Sequence, residues 1–216
     1  MDRVFSPSSK SIDNVATIAL AILSQGDHIG ILYYKDDEST VSLLHLGWHL
    51  QLRNDPPTGT NIPDLWIDPA INPNRALHLE ACFRLIWDKN KINSIPYAFS
   101  RPTGVFHTDG SIVNDPSFLG LTCATFVLAV FDYAKLPLLQ DETWVARDDD
   151  EKWQNDMVEI MATRNVPEEH LACIRDSIPA IRFRPLEVAG AAAAVTYPVP
   201  FDTAIEYADR IKELLC

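Results

Sequence analysis

Two β-rich segments joined by a short polar segment restrict the fold of this chain more than any other feature. The first segment, HIGILYY, begins at His28, and the second, VSLLHLGWHLQL, follows the polar run KDDEST. Apolar residues that alternate on either side of a polar turn are typical of an antiparallel β-hairpin. Such a hairpin places the start of its first strand beside the second half of its second strand. We therefore expect His28 to lie beside His45 or His49.

One cysteine lies in the first turn of a long apolar helix. The run GLTCATFVLAVF predicts a helix over Leu121–Lys135, which ends before Pro137. At a helix N-terminus, the dipole and the free backbone N–H groups favour a thiolate, whose usual pKa is ~8.5, and can hold an oxyanion. This position makes Cys123 a candidate nucleophile. The alternative is an ordinary core residue, because cysteine is among the most buried residue types.

The remaining segments predict several more helices and little additional strand. Apolar residues at helical spacing predict a first helix over Ser11–Ser24, and a second helix is expected over Asn74–Lys89. Residues 53–63 contain three prolines and are expected to be loop, and DLWID is expected to be a short strand. Three further helices are expected in DDDEKWQNDMVEIMATRN, PEEHLACIRDSI and PFDTAIEYADRIKELLC, and the alanine-rich segment AIRFRPLEVAGAAAAVTY is expected to be partly extended.

These elements predict an α+β fold in which a small antiparallel sheet packs on the Cys123 helix and further helices follow. With 216 residues, 47% of them hydrophobic, the chain is long enough for one domain with a sizeable core. The formal charge of −12 disfavours a nucleic-acid partner or an anionic membrane surface, which both require basic patches. The apolar stretches are too short to span a bilayer and no signal peptide is recognisable, so the sequence predicts a cytoplasmic protein without stable membrane insertion.

The cysteine and histidine spacings predict no metal and no cofactor. The four cysteines, Cys82, Cys123, Cys173 and Cys216, form no C-x-x-C pair, and no glycine-rich phosphate loop is present. Cys82 and Cys173 lie in apolar helical stretches and are expected in the core. Outside the hairpin, His78 is expected to be peripheral and His170 solvated, and His107 is expected in a polar turn that could approach the cysteine helix.

The order of the motifs resembles the circularly permuted papain-like superfamily, which includes the lecithin:retinol acyltransferase-like enzymes and the permuted bacterial cell-wall peptidases. DHIGILYY, a polar turn and VSLLHLGW come first, and TCATFVLAVF follows, with Cys123 lying 78 residues after His45. Members of this superfamily have a similar His-x-Gly/Ala-Ile strand, a polar residue on the next strand and a later Cys-x-x-Phe-Val helix. The resemblance covers residues 26–136, the expected catalytic core, whereas residues 137–216 would form a helical extension packed on it. Thr122 replaces the Asn that often precedes the cysteine.

The resemblance implies a role for each candidate residue. Cys123 would be the nucleophile, His28 the general base, and His45 the residue that orients and polarises His28, with His49 and Asp68 as alternatives to His45. The backbone N–H of Cys123 would hold the oxyanion together with a second, unassigned donor.

The resulting hypothesis is a cysteine hydrolase that cleaves an amide, peptide or isopeptide bond through a Cys123 thioester. One alternative is a thiol acyltransferase or lipid deacylase, which the lack of a basic amphipathic helix disfavours. Another is a catalytically silent binding protein on the same fold. In that case residues 137–216 would bind a protein partner or cover the cleft, and the acidic charge would favour a basic partner.

Overall fold

The protein folds around one open antiparallel sheet of six strands. The computed structural model describes residues 2–15, 17–35, 40–92 and 95–215, and these contain six α-helices. The strand order is β1-β6-β2-β3-β4-β5, so the predicted α+β class is confirmed. The strands are β1 Val4–Phe5, β2 Ile18–Leu23, β3 His28–Lys35, β4 Thr40–Trp48, β5 Gln51–Asp55 and β6 Leu65–Ile67; the helices are α1 Pro73–Asn90, α2 Cys123–Tyr133, α3 Asp150–Thr163, α4 Glu168–Asp176, α5 Pro185–Ala193 and α6 Phe201–Glu213.

The predicted hairpin is formed by β3 and β4. The two strands pair antiparallel, with Ile31 opposite Leu44 and Tyr33 opposite Ser42. Alternation directs Ile31 and Leu44 into the large core that contains α2, whereas Leu32 packs into a smaller cluster on the opposite face of the sheet. Most of the predicted turn, residues 36–39, lies outside the described residues.

The predicted first helix is wrong. The segment Ser11–Ser24 forms a short 3₁₀ turn over Ile12–Asn14 and then the strand β2, which pairs with β3 on one side and β6 on the other. Every residue of β2 is buried. A strand buried on both faces is apolar throughout, and such a run has no period-2 signature that distinguishes it from a buried helix.

The second predicted strand ends earlier than its apolar pattern indicates. Strand β4 ends at Trp48, Leu50 adopts a left-handed φ of 57°, and β5 returns antiparallel to β4. His45 faces Arg53 in this pairing. The predicted loop therefore begins only after Asp55, and the additional strand brings that carboxylate towards β4.

The cysteine helix α2 lies against the sheet as predicted. It contacts β3, β4 and α1, and Phe126, Val127 and Val130 are fully buried in the core. Its start is fixed by a capping box in which the Thr122 and Thr125 side chains each accept the other residue's backbone N–H. The predicted helices corresponding to α1, α3, α4 and α6 are confirmed, with bounds shifted by a few residues.

Residues 137–215 are built into the same core. The alanine-rich segment predicted to be partly extended forms α5 over Pro185–Ala193, which contacts β2, β3, α2 and α6. Helix α6 crosses α5 at Gly190, where a Cβ atom would lie 2.2 Å from the Ala204 carbonyl oxygen. Within the described ranges, no helix has both the length and the apolar character needed to cross a membrane.

Candidate active site

Cys123 is the first residue of α2 and lies against the start of β3. Only 8% of the residue is exposed. The backbone N–H groups of Ile29, Ala124 and Cys123 itself form hydrogen bonds that favour the thiolate. The helix N-terminus therefore provides the donors predicted from the sequence, and β3 adds one more.

The expectation of an activated thiolate is wrong for this state of the protein. Burial raises the pKa of Cys123 to about 11, because desolvation of the sulfur outweighs those backbone hydrogen bonds. At neutral pH the residue is consequently a thiol. Nucleophilic chemistry at this position requires a base that removes the proton during the attack.

His28 and His45 form a direct side-chain pair. His28 Nε2 lies 2.7 Å from His45 Nδ1, and the two rings are nearly perpendicular, at 79°. Gly30 makes room for this arrangement, since a Cβ atom there would lie 2.9 Å from the Cβ of His45. The hairpin thus brings together the two histidines that the sequence singled out.

Asp55 extends the histidine pair by one residue. Its Oδ2 atom lies 3.7 Å from His45 Nε2, which has no direct hydrogen-bond partner among the described residues. A carboxylate accepts but does not donate, so it favours the proton on His45 Nε2 and leaves His45 Nδ1 as an acceptor. His28 then donates its Nε2–H to His45. The remaining nitrogen, His28 Nδ1, carries a free lone pair.

Both imidazoles of the pair are neutral at pH 7. Burial, together with the adjacent His45 imidazole, lowers the pKa of His28 to about 4. Burial also lowers the pKa of His45, and the nearby Asp55 carboxylate opposes that shift. A neutral imidazole can accept a proton, but the lowered pKa makes His28 a weaker base than a free histidine.

Cys123 and His28 line one cavity of about 280 Å³. The second half of the chain supplies part of its wall, from α3 and from the segment before α5. The side chains that line it are mostly aromatic or apolar, with one guanidinium. They include Trp48, Tyr97, Trp153, Met157, Phe183 and Arg182.

The two alternatives to His45 have other partners. His49 lies in the turn between β4 and β5, where its Nδ1 accepts the Tyr97 backbone N–H at 3.3 Å and its ring lies 4.7 Å from that of His170. Asp68 pairs with Lys10 at 3.1 Å. His45 is therefore the candidate that contacts His28.

Two burial predictions are wrong because of how α4 packs. This helix buries Leu171 and Ile174, so Cys173 lies on the opposite side and is exposed instead of being in the core. His170, predicted to be solvated, is half-buried, and its Nε2 lies 2.9 Å from the Tyr97 carbonyl oxygen. Cys82 is buried as predicted.

The other predicted positions lie outside the site. His78 is exposed, with its Nε2 3.7 Å from the Cys82 sulfur, and His107 is also exposed. Cys216 lies outside the described residues.

Sequence reasoning missed Asp55 and Arg182. The signal for Asp55 was the pattern QLRND, which reads as a short return strand once a turn is recognised at Leu50. Arg182 had no local signal, because its relation to Cys123 depends on how residues 137–215 fold back over the sheet.

The described residues contain no group of three or more His, Cys, Asp or Glu side chains placed to hold a metal ion. Comparisons with protein-family models, with curated proteins and with solved structures found no match to this chain.

Proposed function

We propose that the protein is a cysteine hydrolase with a permuted papain-like arrangement, acting on an amide, peptide or isopeptide bond. One observation carries this proposal. His28 forms a hydrogen bond with His45 through its Nε2 atom and lines the same cavity as Cys123, which lies at a helix N-terminus. The permuted order, with the base before the nucleophile in the chain, is in keeping with an α+β fold in which α2 lies against β3 and β4.

The first chemical step joins a neutral thiol and a neutral imidazole. As the Cys123 sulfur attacks the substrate carbonyl carbon, His28 Nδ1 accepts the thiol proton. The imidazolium that forms donates its Nε2–H to His45 Nδ1, and the Asp55 carboxylate stabilises the positive charge across the pair. The carbonyl oxygen becomes an oxyanion.

Backbone donors around the sulfur stabilise that oxyanion. The N–H of Cys123 is one donor, and the N–H of Ala124 or Ile29 is the second. When the tetrahedral intermediate collapses, the carbon–nitrogen bond breaks and His28 gives its proton to the leaving amine. The thioester that remains on Cys123 is then hydrolysed by water, which His28 deprotonates.

A burst assay with p-nitrophenyl acetate tests the assignment. We expect one equivalent of p-nitrophenolate and one acetyl group on Cys123, located by peptide mass spectrometry. Cys123→Ala should remove the burst, and His28→Ala should slow it by about 100-fold or more, the usual contribution of a general base. Cys173→Ala removes an exposed thiol and is the matched control, expected to react normally. Acetylation that persists in Cys123→Ala at the wild-type rate would overturn the proposal.

The composition of the cavity wall favours lipid deacylation or acyl transfer as a second candidate. Trp48, Trp153, Met157 and Phe183 form the kind of apolar surface that an acyl chain would contact. Faster turnover of a short-chain phosphatidylcholine than of an acylated amino-acid amide would favour this candidate. If both the lipid and the amide reaction depend on Cys123 and His28, the same two residues would be catalytic in either case.

A further inference from the structure

We propose that Arg182 binds a carboxylate of the substrate, so that the cavity selects acyl compounds with an anionic group close to the scissile bond. The inference rests on the proposed function, because the bound carboxylate is a substrate only if the protein is an enzyme. The binding of a carboxylate to the cavity is a separate property and can be tested without any reaction.

Arg182 is a half-buried cation without an acidic partner. It lines the Cys123 cavity, and within the described part of the chain no carboxylate lies within 4.0 Å of its guanidinium. Asp27 lines the same cavity but forms no ion pair with Arg182. Arginine keeps its charge at any pH of interest, and Asp149 and Asp150 attract that charge only from beyond 4.0 Å. A partly desolvated charge without a counterion in direct contact is unfavourable. A bound anion would remove this cost.

The neighbouring arginines show that carboxylates are available nearby. Arg184 pairs with Asp149 at 2.6 Å and with Asp150 at 3.2 Å. Arg147 pairs with Glu187 and contacts Asp150. Of these three arginines, which together line a neighbouring cavity, Arg182 is the one without an ion pair among the described residues and the one that also lines the Cys123 cavity.

Contacts with α3 and its preceding loop hold the backbone of this segment in place. The Arg147 guanidinium donates to the Arg182 carbonyl oxygen at 2.5 Å. Two residues earlier, Ala180 forms hydrogen bonds in both directions with the Gln154 side chain, at 2.6 and 2.9 Å. These hydrogen bonds fix the backbone from Ala180 to Arg182, and this fixed backbone positions the Arg182 guanidinium.

The surroundings of the guanidinium suit a carboxylate. Its carbon atom lies 3.6 Å from the ring centroid of Trp153, which holds one face by a cation–π contact and leaves the N–H edge for a planar, two-oxygen acceptor. The charge of Arg182 also acts on the Cys123 sulfur. Because Arg182 and Cys123 line the same cavity, a carboxylate on Arg182 would hold the rest of the ligand in the cavity that contains the nucleophile.

Calorimetric titration with N-benzoylglycine tests the binding. This probe combines an aromatic group with a carboxylate, and N-benzoylglycinamide is its uncharged counterpart. We expect the acid to bind at least tenfold more tightly than the amide, and Arg182→Met to remove this preference. Arg182→Lys should retain part of it, because lysine keeps the charge but not the two-pronged geometry. The control is Arg164→Met, which removes an exposed guanidinium that lies 4.8 Å from the Trp48 ring and does not line the cavity.

The outcomes separate this inference from the hydrolase proposal. Equal affinity for acid and amide, or an unchanged preference in folded Arg182→Met, overturns the role of Arg182 whatever the burst assay gives. An Arg182-dependent preference without acylation of Cys123 supports the carboxylate site and overturns the hydrolase.

If Arg182 determines affinity for dihexanoyl phosphatidic acid but not for N-benzoylglycine, the anion is a lipid phosphate and the carboxylate inference is wrong. If Arg182→Met does not fold, the comparison of wild type with Arg182→Lys decides, since an unchanged preference there also contradicts the inference.

Discussion

His45 Nε2 faces the Asp55 carboxylate at 3.7 Å, and this contact determines which nitrogen of His28 is free to accept a proton. The carboxylate keeps the His45 proton on Nε2, so His45 Nδ1 accepts from His28. Asp55 does not itself line the cavity, so in the proposed mechanism it would be a positioning residue that acts through the two imidazoles.

Replacing Asp55 with Asn should slow acylation of Cys123 by about tenfold, because an amide can donate as well as accept and no longer selects one tautomer. The loss of the carboxylate should also lower the pKa of His45 further, since Asp55 raises it. The His45 titration followed by NMR separates this effect from a general structural loss. Arg53→Gln is the paired control, because Arg53 lowers the pKa of His45 and its removal should raise that pKa. Shifts in the same direction for both variants would contradict the assignment.

The acylation rate should be independent of pH across the neutral range. Attack by a neutral thiol needs neutral His28, whose pKa is about 4, and protonated Cys123, whose pKa is about 11. Activity should therefore fall as pH decreases through about 4 and change at the alkaline side only near 11. A pre-steady-state pH profile measures both limits. An acid limb centred between pH 6 and 7 would show that His28 is not buried as described when it reacts.

Iodoacetamide at pH 7 should modify Cys173 well before Cys123. Cys173 is exposed, whereas burial restricts access to Cys123 and keeps it protonated. Cys82, buried with a raised pKa, should also react slowly. Peptide mapping over a time course resolves the three sites. Rapid labelling of Cys123 at pH 6 would instead indicate a thiolate paired with a histidine.

Gly30→Ala should destabilise the fold by about 1–3 kcal/mol, the usual cost of forcing extra volume into a packed interior. The added Cβ would lie 2.9 Å from the Cβ of His45 and 3.1 Å from the Leu44 carbonyl oxygen, and the backbone atom cannot move away easily. Urea unfolding measures the loss. Gly47→Ala is the control, since its nearest contact is the flexible Arg53 side chain at 3.0 Å, and it should be milder. Equal losses in the two variants would count against a specific role for Gly30.

Stability should decrease as pH falls from about 6.5 to about 4. The pKa of His28 drops from 6.5 to about 4 on folding, so between these values the unfolded chain binds the proton and the folded chain does not. Full loss of this contribution corresponds to at most about 3–4 kcal/mol for His28. Urea unfolding at pH 7 and pH 4.5, compared with His28→Gln, measures it. If His28→Gln loses as much free energy of unfolding between pH 7 and pH 4.5 as the wild type does, groups other than His28 cause the decrease.

Local patterns predicted the hairpin and the cysteine helix because both have a strong periodicity and clear ends. They failed at β2, where burial on both faces removes the alternation that identifies a strand. They also failed at β5, because the left-handed residue of the turn is Leu50, an apolar residue, instead of glycine or asparagine. Strand geometry predicted that His28 lies beside His45 or His49, and the structure shows His45, whereas the position of Arg182 depends on contacts between distant parts of the chain.

The origin of the cavity wall has an evolutionary consequence. The thiol and both imidazoles come from the first 123 residues, while Trp153, Met157, Arg182 and Phe183 come from later segments. Under the proposed function, substitutions in the second half would change which molecules the cavity accepts without replacing Cys123, His28 or His45. If the proposed function holds, a library confined to the later segments is the natural starting point for redirecting the protein to new compounds, although Trp48 and Tyr97 of the first half also line the cavity.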